Sequence, residues 1–436
     1  MGRKTDDRKR LHSMSRSVPS GIPESDLAWQ WTGFQRMCSK ILFHALSKLK
    51  SGSLQVKIVN EPSVRIGQAS SSGTHASIAI HDPAFFPRVL FGGEIGLGET
   101  FTDGLWSSDD LTSLIGFFIE NMDVLDDRKI TLTFPARMIH TLHHLLRKNT
   151  LEGSKKNIRA HYDLSNQFFQ TFLDEKMVYS CARFNSDGDT LEEAQLNKIY
   201  DLIQKMDIHE NHHILEIGTG WGALALEAAK VKRCKVTTIT LSREQYEYTR
   251  ARVVAAGLDH RVFVLFQDFR TMQGSFDRII SIEMIEAIGH ENLGMFFETC
   301  CNLLTQGGIL VLQTITIPDQ RYPAYRKSSD WIRKYIFPGG HLPSLTALSR
   351  AATRHSSFVL QHLENIGPHY ARTIREWRYR FLHSLDEIRS LGFGDPLIRT
   401  WIYYLSYCEA AFQWRYLNDL QLIFTRPGIS LEEQTL

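Results

Sequence analysis

The segment Ile214-Leu215-Glu216-Ile217-Gly218-Thr219-Gly220-Trp221-Gly222 constrains this chain more than any other. Ile214, Leu215 and Ile217 have the branched, apolar character of a buried strand, and Ala223 onward is helix-forming. The glycines between them let the backbone turn sharply and approach a ligand with no Cβ in the way. A strand that breaks into such a turn and enters a helix is the elbow of a nucleotide-binding α/β fold.

The glycine pattern alone also satisfies a loose dinucleotide fingerprint. Dinucleotide sites place an Asp or Glu at the end of the second strand, about 20 residues further on, to hold the adenosine ribose. Here the second strand, Val236-Thr237-Thr238-Ile239-Thr240-Leu241, ends on Thr240, and the next acid, Glu244, lies in the following helix. Glu216, just before the turn, supplies an acid suited to a cationic cofactor with a free amino group. The pattern therefore favours S-adenosylmethionine over a nicotinamide.

The remaining periodicity fits that fold. Strands are predicted near 212–217, 235–240, 261–266, 277–282 and 308–315, alternating with helical patterns, which reads as a doubly wound parallel sheet with helices on both faces. Ligands on such sheets lie beyond the carboxyl ends of the strands, so Gly218–Gly222, Thr240–Gln245, Gln267–Arg270 and Glu283–Gly289 should border one cleft. Ahead of it, helical spacing over Ala28–Leu49, strand patterns at Gln55–Val59 and Ala76–Ile80, and a helix through Leu111–Met122 form a smaller N-terminal α+β unit. The expected organisation is a basic disordered tail over 1–25, an N-terminal lipid- or membrane-associated domain over 26–146, a linker over 147–156, and a catalytic domain over 157–436.

Composition removes several classes of function. A net charge of +2 on 436 residues argues against binding nucleic acid by bulk phosphate neutralisation. Cys38, Cys181, Cys234, Cys300, Cys301 and Cys408 have neither zinc nor disulfide spacing, which points to a reducing, cytoplasmic setting and no metal site. His143-His144 and His212-His213 lack a second ligand cluster. No apolar run reaches the roughly 20 residues of a membrane helix.

His161-Tyr162-Asp163-Leu164-Ser165-Asn166, Tyr179-Ser180-Cys181-Ala182-Arg183-Phe184, the glycine turn, Thr240-Leu241-Ser242-Arg243-Glu244-Gln245, Asp268-Phe269-Arg270 and Glu283-Met284-Ile285-Glu286-Ala287-Ile288-Gly289 follow one another in an order that closely resembles the cyclopropane-fatty-acyl-phospholipid synthase family, relatives of the mycolic acid cyclopropane synthases. The resemblance spans residues 75 to 425. It implies a class I methyltransferase, Rossmann-like fold, S-adenosylmethionine as donor, and an unsaturated phospholipid as substrate. Such an enzyme touches a membrane surface without crossing it, and a homodimer is one assembly open to it. Tyr179 and Ser180 would contact the methionine part of the cofactor, and Gly218, Gly220 and Gly222 would pass close to it. Thr240, Leu241 and Gln245 would surround the ribose, and Asp268 would border the adenine.

The family also holds a bicarbonate ion near the reacting carbon, and the matching positions are Cys181, Glu286, Ile315 and Tyr370. Gln313 stands where many bacterial members have a histidine; it can hydrogen-bond an anion but cannot titrate near neutrality. Cys408 matches a cysteine long regarded as catalytic, although the chemistry needs no thiol. An alkene is a weak nucleophile, so the protein must align it with the sulfonium methyl, exclude water while a carbocation forms, and provide a base for the proton that is lost. Aromatic faces stabilise a cation by about 0.5–2 kcal/mol each, and Tyr335, Phe337, Tyr370 and Trp377 are candidates.

Plainer roles stand beside these. Phe168, Phe169, Tyr335 and Phe337 also suit core or lid packing, Cys181 and Cys408 suit small buried positions, and Cys300-Cys301 suit helix core. Glu286 differs, because an acid flanked by Met284-Ile285 and Ala287-Ile288 is costly to bury unpaired. Three other functions stay open. The same cation can yield methyl or methylene branching, a similar core serves small-amine N-methyltransferases, and Gln313 leaves room for a lapsed lipid- or cofactor-binding protein.

Overall fold

A computed structural model describes residues 31–67, 73–125 and 164–427. The expected tail, the linker over 147–156, His143-His144 and His161-Tyr162-Asp163 lie outside these residues. The chain divides into two compact units, one formed by residues up to 143 with 328–336 and 374–416, the other by 144–327, 337–373 and 417–436.

In the first unit, β1 (Ser53–Ile58) pairs antiparallel with β2 (Val64–Gly67) and parallel with β3 (His75–Ile80), and the short β4 (Trp106–Ser107) closes the far edge. Alternate residues of β3 are buried, as its apolar/polar alternation requires. Helix Gly33–Leu46 starts in a reciprocal cap between Thr32 and Gln35. It leaves Phe34 and Met37 about half exposed, with Phe34 stacked on Phe91 at 6.1 Å. Gly98, in helix Phe85–Thr102, is a glycine because a Cβ there would stand 2.4 Å from the Trp331 indole. Among the described residues no helix is long and apolar enough to cross a membrane.

The second unit is built on β5 (His213–Ile217), β6 (Lys235–Thr240), β7 (Val262–Phe266), β8 (Phe276–Ile282), β9 (Leu304–Thr316), β10 (Val359–Asn365) and β11 (Asn418–Thr425). Their order is β10-β11-β9-β8-β5-β6-β7. The pairs β5–β6, β6–β7, β5–β8 and β8–β9 are parallel, which gives the expected doubly wound sheet. Strand alternation sorts its side chains into two cores. Leu215, Ile217, Ile279, Leu310 and Leu312 pack on one face with helices Leu293–Leu303 and Leu345–His355, and Ile214, Ile280, Ile309 and Val311 pack on the other with Leu191–Lys205 and Ala223–Lys232.

Two strands of this sheet were not expected from the sequence. β11 inserts antiparallel beside β9, and β10 pairs antiparallel on its outer side. β10 is mostly exposed and carries His362, Glu364 and Asn365, so it lacks the apolar run that marks a buried strand. β11 is buried along its middle but includes Asp419 and Gln421, both fully buried. Those two polar residues belong to the site.

Candidate active site

The cleft opens at the carboxyl ends of β5, β6 and β8, where chain reversal leaves backbone groups facing outward. Gly218, Gly220 and Gly222 all have positive φ, at 104°, 52° and 85°. Their reasons differ. A Cβ on Gly220 would meet nothing within 4 Å and would stand in the cleft, whereas one on Gly222 would lie 2.5 Å from Thr249 Cγ2. Gly220 is therefore open toward a ligand, and Gly222 lets the helix starting at Ala223 sit against helix Arg243–Ala255.

Nine of the ten expected cofactor residues, Tyr179, Ser180, Glu216, Gly218, Gly220, Thr240, Leu241, Gln245 and Asp268, line this one cleft. Gly222 does not. Thr240 Oγ1 donates to Gln245 Oε1 at 2.9 Å and accepts from Ser242 N, while Ser242 caps the next helix on Gln245 N. The position expected to face a ribose is thus a neutral hydroxyl–amide pair. Asp268 accepts from Arg270 Nε at 2.8 Å and from a terminal guanidinium nitrogen at 2.7 Å, which holds the carboxylate at the cleft edge.

Glu216 is almost fully buried and accepts from Thr238 Oγ1 at 2.5 Å. Burial pushes its carboxyl up to about 8, against the Thr238 hydrogen bond and the Lys198 charge. Lys198 is itself buried on the apolar stripe of helix Leu191–Lys205, and its Nζ donates to Ser180 Oγ at 2.9 Å. Burial lowers its pKa, and the carboxylates of Glu283, Asp174 and Asp419 oppose that shift. An acid at the foot of the cleft, a Cβ-free edge at Gly220 and no competing ribose acid together fit a cationic donor such as S-adenosylmethionine.

Sharing Glu283 with the wall of the cleft is a second set of residues. Glu286, in a single turn after β8, accepts at Oε1 from Ile315 N at 2.6 Å and from Thr314 Oγ1 at 2.9 Å. Its Oε2 has no hydrogen-bond partner among the described residues. Burial first, and then the Glu283 charge, raise its carboxyl to about 8. Cys181, Gln313 and Tyr370 converge on a different acid, Glu283: Cys181 N donates to Oε1 at 2.8 Å, Gln313 Nε2 to Oε1 at 2.8 Å, and the Tyr370 hydroxyl to Oε2 at 2.5 Å. Gln313 is oriented from behind, since its Oε1 accepts from Gln421 Nε2 at 3.0 Å and Lys205 Nζ reaches Gln421 Oε1. Gln313 Nε2 also donates to Asp419 Oδ2 at 3.1 Å.

The structure thus brings five of the six expected catalytic positions, Cys181, Glu286, Gln313, Ile315 and Tyr370, around a pair of buried acids. Cys408 is the exception. It lies in helix Asp395–Gln413 of the first unit, and burial raises its thiol far above the ordinary value. Of the aromatic candidates, Tyr335 and Trp377 also belong to the first unit, where Tyr335 donates to Glu99 Oε1 at 2.6 Å.

The expected bicarbonate does not fit this donor set. Cys181 N, the Tyr370 hydroxyl and Gln313 Nε2 already meet the Glu283 carboxylate, and Ile315 N already meets Glu286. The sequence singles out Glu286, places Glu283 only at the start of a segment bordering the cleft, and gives no role to Lys198 or Asp419. Two signals were present: a lysine recurring with Leu191, Ala194 and Leu202 on one helical face, and an acid directly after the last apolar residue of a strand.

Comparison with known proteins bears on the same residues. Residues 149–422 match the family model described as mycolic acid cyclopropane synthetase. The chain is 36% identical over 426 residues to the tuberculostearic acid methyltransferase UfaA1 of Mycobacterium tuberculosis, covering 94% of this chain and 98% of that protein. It is 34% identical over 383 residues to the cyclopropane-fatty-acyl-phospholipid synthase of Escherichia coli K12, covering 85% of this chain and 93% of that one. The solved structure of mycolic acid cyclopropane synthase CmaA1 complexed with SAH and CTAB aligns with a TM-score of 0.58 at 29% identity, over 62% of this chain and 98% of that one. The glycine cleft, the two buried acids and these likenesses agree: the chain belongs to the mycolic acid cyclopropane synthetase family, whose members are S-adenosylmethionine-dependent, lipid-modifying methyltransferases.

Proposed function

We propose that this protein transfers a methyl group from S-adenosylmethionine to the cis double bond of an unsaturated phospholipid acyl chain, and that loss of a proton from the resulting cation closes a cyclopropane ring. One observation carries the reading. Glu283 lines the cofactor cleft and is also the residue on which the buried donors Cys181, Gln313 and Tyr370 converge, so donor binding and proton removal share a wall.

Bound in the cleft, S-adenosylmethionine supplies an electrophilic methyl group on a sulfonium centre. The chain does the rest by placement and charge. Glu216 offers a carboxylate to the amino group, Gly220 leaves room for the ligand beside the turn, and the Thr240–Gln245 pair accepts or donates at a hydroxyl. An ionised Glu283, fixed by its three donors, favours positive charge developing near it, an effect strengthened where water is excluded. The acyl chain resides in a bilayer, so the proposal includes contact with a membrane surface. Helix Gly33–Leu46, with Phe34 and Met37 exposed, is the face assigned to it.

A second reading is methyl branching, favoured by the 36% identity to a tuberculostearic acid methyltransferase. It uses the same residues and differs in which carbon surrenders the proton. Expression in a host lacking cyclopropane lipids, followed by mass spectrometry of its fatty acids, tests both. An acyl chain heavier by one CH₂ with its double bond gone supports the synthase, and a branched chain supports the second reading. Unchanged lipids in cells containing folded, cofactor-binding protein would refute both.

A further inference from the structure

We propose that Glu283 is the base of the reaction, a carboxylate carried by the chain itself in the place where a free bicarbonate ion would otherwise be held. The inference rests on the function proposed above and deepens it.

The geometry is that of an anion site filled from within. A carboxylate has about four lone-pair positions. Cys181 N and Gln313 Nε2 meet Oε1, the Tyr370 hydroxyl meets Oε2, and the Asp419 side chain also hydrogen-bonds this carboxyl; Oε2, which meets only Tyr370 among the three donors, is the oxygen assigned to the substrate proton. Three donors fix the group and draw down its nucleophilicity, so it accepts a proton more readily than it bonds to a carbocation. The donors are themselves fixed. Gln313 is held by the line from Lys205 through Gln421, and Glu283 N donates to the Gln313 carbonyl at 2.8 Å.

The backbone makes the same point independently. Glu283 has φ of 47°, a region that costs a residue with a Cβ about 1–2 kcal/mol and that glycine adopts freely. A glutamate placed there against that cost marks a position where the side chain is required, and such outliers cluster at functional sites.

In the step assigned to it, the new methyl carbon is bonded to one former alkene carbon while the other carries the positive charge. Oε2 of Glu283 takes a proton from the methyl, and the electron pair of that C–H bond forms the third side of the ring. Glu283 becomes a carboxylic acid and returns the proton to water after product leaves. Removal of a proton from a neighbouring chain carbon instead places the pair in a new C=C bond, which is the branched outcome.

The test uses the purified full chain with S-adenosylmethionine and vesicles of unsaturated phospholipid, in buffer stripped of carbon dioxide and in the same buffer with added bicarbonate. The wild-type rate should be the same in both. E283Q should lose about 100-fold or more, the usual loss on removing a general base, with no rescue. E283G suits the positive φ and exposes the three donors, so bicarbonate should restore part of its rate. A readout that needs no turnover is the carbon dioxide released on acidifying the protein after desalting from bicarbonate: none from wild type, and a stoichiometric amount from E283G. A wild-type enzyme that stalls without bicarbonate and recovers with it, or that releases stoichiometric carbon dioxide, would overturn the proposal, as would E283Q at the wild-type rate. Failure of the function itself looks different: no modified lipid under any condition while cofactor binding persists, with the carbon dioxide measurement still deciding whether Glu283 fills the anion site.

Discussion

Gly220 and Gly222 sit two residues apart in the same turn, and the structure predicts opposite consequences for the same substitution. Gly220→Ala places a methyl where no atom lies within 4 Å, so its folding cost is only that of a Cβ at φ 52°, about 1–2 kcal/mol. The methyl stands in the cleft, however, and occupies space the ligand needs. Gly222→Ala carries a similar backbone cost at φ 85° and adds an overlap at 2.5 Å with Thr249 Cγ2, a buried side chain with little freedom to move. Overpacking of that kind adds about 1–3 kcal/mol, for a total of about 2–5 kcal/mol. Thermal unfolding with and without S-adenosylmethionine separates the two effects. At a concentration about 100 times Kd, a ligand bound only by the native state stabilises it by about 2.7 kcal/mol. Wild type should show that increment, Gly220→Ala should lose it while remaining close to wild type without ligand, and Gly222→Ala should melt earlier yet keep much of the increment. The reasoning is refuted if Gly220→Ala binds the cofactor as wild type does, or if Gly222→Ala is as stable as wild type.

Glu286→Ala should bind S-adenosylmethionine with unchanged affinity, since Glu286 does not line the cleft, but turn over about 10–100-fold more slowly, because Ile315 N and the Thr314 hydroxyl lose their acceptor at a cost of about 1–3 kcal/mol. Calorimetry and product formation on the same preparation check it, and equal loss of both would contradict the assigned role. Glu216 and Glu286 are both raised from 4.5 to about 8, so the folded state holds their protons through a range where the unfolded chain has released them. Their contribution to stability is therefore full at acid pH and is lost as pH rises through about 8; urea titrations across that window should show falling stability, and Glu216→Gln or Glu286→Gln should flatten the slope. If Glu216 meets the cofactor amino group, binding lowers its pKa and expels a proton near neutrality. Calorimetry in buffers of different ionisation heat should then show proton release in wild type and little in Glu216→Gln.

The sequence carried the sheet and most of the cofactor cleft because both rest on short-range rules. Alternation of apolar residues along β5 and β8, and glycines at the turn, are visible in windows of ten residues, and the strand-end rule puts Thr240, Gln245 and Asp268 on the cleft they line. The proton-removing half was less legible. Glu283 owes its role to Cys181, Gln313 and Tyr370, donors that lie more than a hundred residues away, 30 away and 87 away in the chain. Gln313 departs from the family's histidine in a way that keeps a hydrogen bond to an anion and removes a titrating group, and its amide completes a line from Lys205 through Gln421 to Glu283. That meaning depends on β11 lying beside β9, which no local pattern announces.

Among the described residues β11 is also the last strand to be made, and until it arrives β9 lacks one of its two neighbours. A 13-residue strand whose C-terminal part, Gly308–Thr316, is nearly all buried in the finished fold would then present an open row of backbone donors and acceptors. Chains that stop short of Asn418 should therefore accumulate as self-associating species in the cell, and proteostasis factors that shield nascent chains would matter most during synthesis of the hundred residues between those two strands.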